Sequence, residues 1–261
     1  MLNFIKYEIK GSMKIIAIIF VIMLLLNSYF LYSLGEWSSI KTYSLTFLLG
    51  LSGGFAILLY SISSFNKEVY NDRGYLTLTL PISGNEIVIS KLITTIIWYL
   101  IYLTIEIIFA YFFLDKQSDI INNREATQFF QILKSLFNAK ILSLIIFGAI
   151  IQLSVFMMTV YFSIGLSKAG FKANKFNKLL SFVVFLIING TIGYLTVLIE
   201  KLLPYRVSFN MKENFMNLNL VNNDIVSRGL SLNIASTFFS ILLFITFLMT
   251  TGYFLDKKID L

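Results

Sequence analysis

Residues 92–114 read LITTIIWYLIYLTIEIIFAYFFL, a long apolar run with a single charged side chain, Glu106. A helix needs about 20 mostly apolar residues to cross the hydrocarbon core of a bilayer. Inside that core every backbone N–H and C=O must bond within its own element, and a helix meets this requirement. The stretch therefore predicts a transmembrane helix that carries one carboxyl group at membrane depth.

Similar runs occur throughout the chain, and they predict six spans, at 15–34, 43–65, 92–114, 141–167, 179–203 and 234–255. The composition agrees, since 57% of the 261 residues are hydrophobic and only 13% are charged. Ordinary soluble domains carry about 25% charged residues. We therefore predict an all-α membrane protein with one transmembrane domain over residues 1–261.

The chain contains no histidine and no cysteine. This composition excludes disulfides, cysteine nucleophiles, Cys/His zinc sites and Ser-His-Asp triads. No paired carboxylates and no nucleophile–base pair stand out, so we expect no catalytic, metal or cofactor site on this chain. The net charge of +7 favours contact with anionic lipid over contact with nucleic acid.

Lysine and arginine in the connections predict the orientation of a membrane chain. The clearest basic connection is 168–178, where four lysines fall on one helical face: Lys168, Lys172, Lys175 and Lys178. We interpret them as an anchor to anionic lipid, in preference to a second contact with a partner protein. Both termini are then cytoplasmic. The many Ile, Asn, Lys and Phe residues are typical of proteins from AT-rich bacterial genomes, which indicates a bacterial cell membrane.

The connections outside the spans carry three further features. Residues 1–14, MLNFIKYEIKGSMK, predict an interfacial helix on the inner leaflet, or else a simple basic anchor. Residues 120–140 repeat apolar side chains at helical spacing, which predicts an amphipathic helix on the outer leaflet or over an exit path. The connection 204–232 is polar and rich in asparagine, and its fold stays open.

The first span is expected to be retained rather than cleaved as a signal peptide.

The connection 66–91 reads NKEVYNDRGYLTLTLPISGNEIVISK and is charged and rich in turn residues. Its second half contains an S-x-x-E capping box, Ser83 to Glu86, directly before apolar residues. The third helix is therefore predicted to begin near Gly84, with Lys91 close to the lipid phosphates.

The first half of this connection predicts a helix that crosses the membrane surface and turns at Pro81. Docking surfaces combine aromatic and arginine anchors with a charged rim. The segment offers both kinds of side chain: Val69, Tyr70, Tyr75, Leu76 and Leu80, beside Glu68, Asp72 and Arg73. The alternative interpretation is a solvated loop that joins two helices.

Short motifs in and around this connection occur in a fixed order. Gly74-Tyr75-Leu76 is followed by Leu80-Pro81-Ile82-Ser83 and by the Ser90-Lys91 opening of the third span, and the N-terminus contains FIKYEIK at 4–10. In this order the motifs resemble the ABC-2 type permeases, the membrane subunits of ATP-binding-cassette exporters. Six spans with inside termini match that family over the whole chain. Within that family the chain resembles small permeases of Gram-positive bacteria that export bacteriocins or amphipathic peptide toxins, such as the phenol-soluble modulin exporter.

The resemblance implies a coupling helix between spans two and three that docks into a separate ATPase subunit. Its candidate contacts are Glu68, Tyr70, Asp72, Arg73, Tyr75 and Leu76. The resemblance also implies two copies of the ATPase, which would bind ATP and Mg²⁺, and a second permease copy or paralogue. The sequence contains no G-x-x-x-x-G-K-[ST] loop of its own, as expected if the nucleotide site lies on another polypeptide.

Two features lie within the predicted spans. A carboxylate at membrane depth costs about 2.5–3.5 kcal/mol on insertion scales, so Glu106 should face protein or water. It lies either in a translocation path or proton relay, or in a hydrogen bond to a polar residue such as Gln152 or Asn189. Gly50 and Gly54 form a G-x-x-x-G pattern, which indicates close helix packing within the subunit or across a dimer.

Three functional hypotheses follow from these observations. The first is the permease subunit of an ATP-driven exporter of amphipathic peptides or similar molecules. The second is a proton-coupled carrier or channel that uses Glu106 and needs no ATPase. The third, an intramembrane enzyme, is the weakest because the residues that would perform its chemistry are missing.

Overall fold

The computed structural model describes residues 2–34, 37, 39–70, 82–118, 139–170, 177–210 and 229–257. Those residues form six helices and two strands: α1 Leu2–Tyr32, α2 Ser39–Tyr70, α3 Gly84–Ser118, α4 Ala139–Gly170, α5 Asn177–Leu202, β1 Arg206–Asn210, β2 Gly229–Asn233 and α6 Ile234–Lys257. Each helix is long and apolar enough to cross a membrane. Six helices of the length and apolar composition predicted for the spans are thus present among the described residues, and they suggest a multi-pass membrane protein.

The two strands modify the all-α prediction in the connection whose fold the sequence left open. β1 and β2 pair antiparallel, with Arg206 opposite Asn233 and Asn210 opposite Gly229. Asn233 closes this pair onto the flanking helices, because its Nδ2 donates to the Leu203 carbonyl at 2.9 Å and its Oδ1 accepts from the Ser236 N–H at 3.1 Å. Asn233 is therefore the N-cap of α6.

The interfacial helix predicted for residues 1–14 is not a separate element, because α1 runs without a break over 31 residues from Leu2 to Tyr32. A helix of that length extends about 46 Å at 1.5 Å per residue. Within this stretch, the buried hydroxyl of Ser12 donates to the Glu8 carbonyl of the preceding turn at 2.8 Å. The hydroxyl thus bonds inside the helix and leaves it continuous.

The chain divides into two compact units. The first contains residues 1–65 and 89–151, and the second contains residues 66–88 and 152–261. The core of the first unit joins α1, α2 and α3 through the buried side chains Ile16, Met23, Ile57, Trp98 and Tyr102. In the second unit, the ring of Phe162 on α4 stacks on two rings of α6, those of Phe247 and Phe254.

Within the first unit, polar contacts join α1 to α3 at four levels: Glu8 with Lys91, Ser12 with Trp98, Asn27 with Glu106, and the Leu31 carbonyl with Lys116. The residue numbers rise together along both helices. α1 and α3 therefore run in the same direction, as the first and third spans of an alternating topology should.

Lys91, which the sequence analysis placed close to the lipid phosphates, has a side chain that is 5% exposed. Its Nζ forms an ion pair with Glu8 Oε2 at 2.8 Å and donates to Ser64 Oγ at 2.8 Å. The lysine thereby joins α1, α2 and α3 at one end of the first unit. A pattern of basic residues does not reveal such a pairing, because Glu8 is 83 residues away in the chain.

The G-x-x-x-G pattern of α2 packs within the subunit, against α3. The Tyr102 hydroxyl donates to the Gly50 carbonyl. A Cβ atom added at Gly54 would lie 3.2 Å from the same hydroxyl oxygen. The two glycines thus give Tyr102 room to reach the backbone of α2. This contact is a helix packing within the subunit, one of the two interpretations of the motif.

Candidate functional site

The first unit contains an open, mostly apolar cavity of about 540 Å³. Side chains of α1, α2, α3 and the first half of α4 line it, and aromatic rings make up much of its wall. Its aromatic residues are Tyr43, Phe47, Tyr102, Phe109 and Phe113. The cavity is within the size range of about 300–1,000 Å³ typical of small-molecule sites.

Among the described residues in the wall of this cavity, Glu106 is the one with an ionisable carboxyl group. Its Oε1 accepts a hydrogen bond of 3.3 Å from Nδ2 of Asn27, which is 1% exposed. Its Oε2 lies close to Gly50, where an added Cβ atom would come within 3.2 Å. Because α2 has no side chain at Gly50, the carboxyl group can sit directly against the α2 backbone.

The polar partner of Glu106 is therefore Asn27, which the sequence analysis did not single out. Asn189 instead donates from its Nδ2 to the Phe185 carbonyl of its own helix at 3.0 Å. Gln152 belongs, like Asn189, to the second unit. The sequence signal that points to Asn27 is its position as a lone amide inside an apolar run.

The start of α3 forms a second polar constellation, in the second unit. Both bonds of the capping box are present: Ser83 Oγ accepts from the Glu86 N–H at 3.4 Å, and Glu86 Oε2 accepts from the Ser83 N–H at 3.3 Å. The helix begins at Gly84, as predicted. In addition, the Gly84 N–H donates to Asp256 Oδ1 of α6 at 2.6 Å. A carboxylate at this position also complements the positive end of the helix dipole.

The end of α2 contacts α5, as the start of α3 contacts α6. The Tyr70 hydroxyl and Ser181 Oγ are 3.1 Å apart, and Lys168 Nζ of α4 lies 5.6 Å from the centre of the Tyr70 ring. Glu68, two residues before Tyr70, is half-buried. Tyr70 on α2 and Gly84 on α3 therefore attach the two ends of residues 71–83 to α5 and α6.

Some of the predicted site residues lie outside the described part of the chain: Asp72, Arg73, Tyr75, Leu76, Lys172 and Lys175. The amphipathic stretch 120–138 also lies outside it. Lys178 belongs to the first turn of α5. Roles for these residues stay predictions.

Two further residues matter to this site and were missed by sequence reasoning, Asp256 and Gly252. An alanine Cβ at Gly84 would collide with the Gly252 carbonyl oxygen, so α3 and α6 touch through their backbones. Neither residue carries a local signal, since a glycine and an aspartate one turn apart are common at helix ends. Only the tertiary fold reveals that they contact the start of α3.

Comparison of the chain with family models, with curated proteins and with solved structures finds no match in any of the three.

Proposed function

We propose that this chain is the permease subunit of an ATP-driven exporter of the ABC-2 type, which moves amphipathic peptides or similar hydrophobic molecules. In this proposal two copies of a separate ATPase subunit bind ATP and Mg²⁺, and a second permease copy or paralogue completes the channel. The chain resides in the bacterial cell membrane with both termini in the cytoplasm.

The observation that carries the proposal is the attachment of residues 71–83 at both ends. On one side Tyr70 contacts Ser181 of α5, and on the other Gly84 contacts Asp256 of α6. A loop that only joins two helices does not need contacts with two other helices. A segment that receives force from a partner does need them, because force applied to it then moves α2, α3, α5 and α6 together.

The predicted partner contacts are tested by charge reversal and side-chain truncation. Arg73→Glu and Tyr75→Ala are each expected to reduce ATPase binding about tenfold or more, since arginine and tyrosine anchors characteristically dominate interfaces. The measurement is co-purification and ATP hydrolysis with an ABC ATPase encoded beside this chain. Arg228→Glu and Tyr205→Ala are matched controls in the connection 204–232. They should leave ATPase binding and ATP hydrolysis unchanged.

Two outcomes would contradict this proposal. One is normal assembly and normal export by a variant in which residues 71–80 are scrambled. The other is flux that follows a pH gradient in liposomes, needs no ATP and disappears in Glu106→Gln. That result would assign the proton-coupled carrier instead.

The attachment itself is tested by Asp256→Ala. This change removes the acceptor of the Gly84 N–H but leaves residues 71–81 untouched. We expect the ATPase to bind and hydrolyse ATP, while export per ATP falls about tenfold, because a hydrogen bond to a charged group is worth roughly 1.5–3 kcal/mol. Asp115→Ala, at the other end of α3, is the control. Unchanged export per ATP in Asp256→Ala would show that the contact transmits no force.

A further inference from the structure

The cavity of the first unit has the chemistry of a binding site for a cation. Its wall is apolar and aromatic except for a few polar groups, and one carboxyl group, that of Glu106, reaches into it. Of the described residues that line the cavity, none is a lysine or an arginine. The ion pair between Glu8 and Lys91 lies at another level of α3.

The geometry around Glu106 leaves its charge without a cationic partner among the described residues. Asn27 supplies one long hydrogen bond, of 3.3 Å, to Oε1. An amide donor compensates a carboxylate only in part, and a buried charge is stable when it is paired. A positive ligand in the cavity would provide the pairing that the protein does not.

The aromatic wall adds a second attraction for the same kind of ligand. The face of an aromatic ring carries negative charge density and attracts a cation within about 6 Å, more strongly where water is excluded. Tyr43, Phe47, Phe109 and Phe113 provide such rings around the cavity. A carboxylate together with aromatic faces selects positive charge, and the apolar surface selects a ligand with an apolar body.

We propose that this cavity binds a lipophilic organic cation with a single positive charge, held by Glu106 and by the surrounding aromatic rings. The volume of about 540 Å³ accommodates one molecule of drug size. The binding site stands independently of an ATPase. Only the idea that the bound cation is also transported would rest on the proposed function.

The test is equilibrium binding of tetraphenylphosphonium to the purified full-length chain in lipid nanodiscs, without any ATPase. Tetraphenylborate has the same shape and the opposite charge, so it controls for hydrophobic partition. We expect saturable binding of the phosphonium and none of the borate. Glu106→Gln keeps the shape of the side chain and should weaken phosphonium binding about tenfold or more, as loss of one partner of a buried charge pair does.

Glu200→Gln makes the same chemical change in the second unit and should leave binding unaltered. A second variant, Gly50→Ala, places a methyl group against the Glu106 carboxyl group and should also weaken binding. Retained helicity and a single elution peak show that each variant is folded. Equal binding of the phosphonium to the parent and to Glu106→Gln, or equal binding of the borate and the phosphonium, would overturn the proposal.

The lipid itself can supply an organic cation, in the ammonium headgroup of phosphatidylethanolamine. Nanodiscs of phosphatidylglycerol alone lack such a headgroup. Because phosphatidylglycerol attracts the phosphonium by its own charge, its fraction is held constant while phosphatidylethanolamine replaces a neutral glycolipid. Phosphonium binding that falls along this series would identify lipid as an occupant of the site. Binding that is independent of lipid composition would identify the free organic cation as the ligand.

Discussion

Glu8→Ala is expected to lower the free energy of unfolding by about 3–5 kcal/mol, because it leaves the Lys91 ammonium buried without its counter-charge. The lysine side chain is 5% exposed and that of the glutamate is 18% exposed, so water cannot replace the lost partner. Ser64 keeps its contact with Lys91 Nζ, but a hydroxyl group compensates a full charge only in part. The measurement is unfolding in mixed micelles with increasing denaturing detergent, followed by circular dichroism.

A double variant separates the missing charge from a general loss of packing. Glu8→Met combined with Lys91→Met replaces the pair with apolar side chains of similar size. Such replacements are often neutral or stabilising, so we expect the double variant to recover most of the stability that Glu8→Ala loses. Lys10→Ala alters an exposed residue of the same helix and should change stability by less than about 0.5 kcal/mol. If Glu8→Ala proves as stable as Lys10→Ala, the ion pair does not stabilise the fold.

Gly84→Ala is expected to destabilise the second unit by about 3 kcal/mol, the upper part of the usual range for overpacking. The added Cβ atom would meet the backbone oxygen of Gly252 and lie 2.9 Å from Leu255 Cβ. Backbone atoms cannot rotate away as a flexible side chain can, so the start of α3 must separate from α6. Separation also breaks the bond from the Gly84 N–H to Asp256.

Gly148→Ala provides the control with the opposite sign. This glycine is exposed on α4, and an added Cβ atom there meets nothing within 4 Å. Replacing a glycine in a helix by alanine stabilises the helix by about 0.5–1 kcal/mol. In the same detergent measurement, the free energy of unfolding should therefore fall for Gly84→Ala and rise for Gly148→Ala. Equal stability of Gly84→Ala and the parent would show that α3 and α6 are not in backbone contact.

The six spans could be predicted because the hydrocarbon core imposes a length and a polarity that a single sequence displays. The capping box at Ser83 and Glu86 marked the start of α3 at Gly84 because that signal is local. Helix starts and apolar runs depend on neighbours within a few residues. Such features are visible before any tertiary contact is known.

The contacts that build the candidate site could not be predicted, because each one joins residues far apart in the chain. Glu106 stood out as a carboxyl group in an apolar run, but its partner Asn27 lies 79 residues earlier. Lys91 opens the third predicted span, but its counter-charge Glu8 lies 83 residues earlier. Gly84 carried no sign of Asp256, 172 residues later. Polar residues in apolar sequence indicate that partners exist and do not indicate which ones.

The parallel contacts between α1 and α3 also have a consequence for biogenesis. The partners of Glu8, Ser12, Asn27 and the Leu31 carbonyl are separated from them by 79 to 86 residues. A ribosome that adds about 5–20 residues per second needs about 4 to 17 seconds to synthesise that length. The first helix thus emerges with its polar groups unmatched. It must be sheltered by the insertion machinery, or remain close to it, until the third helix is translated.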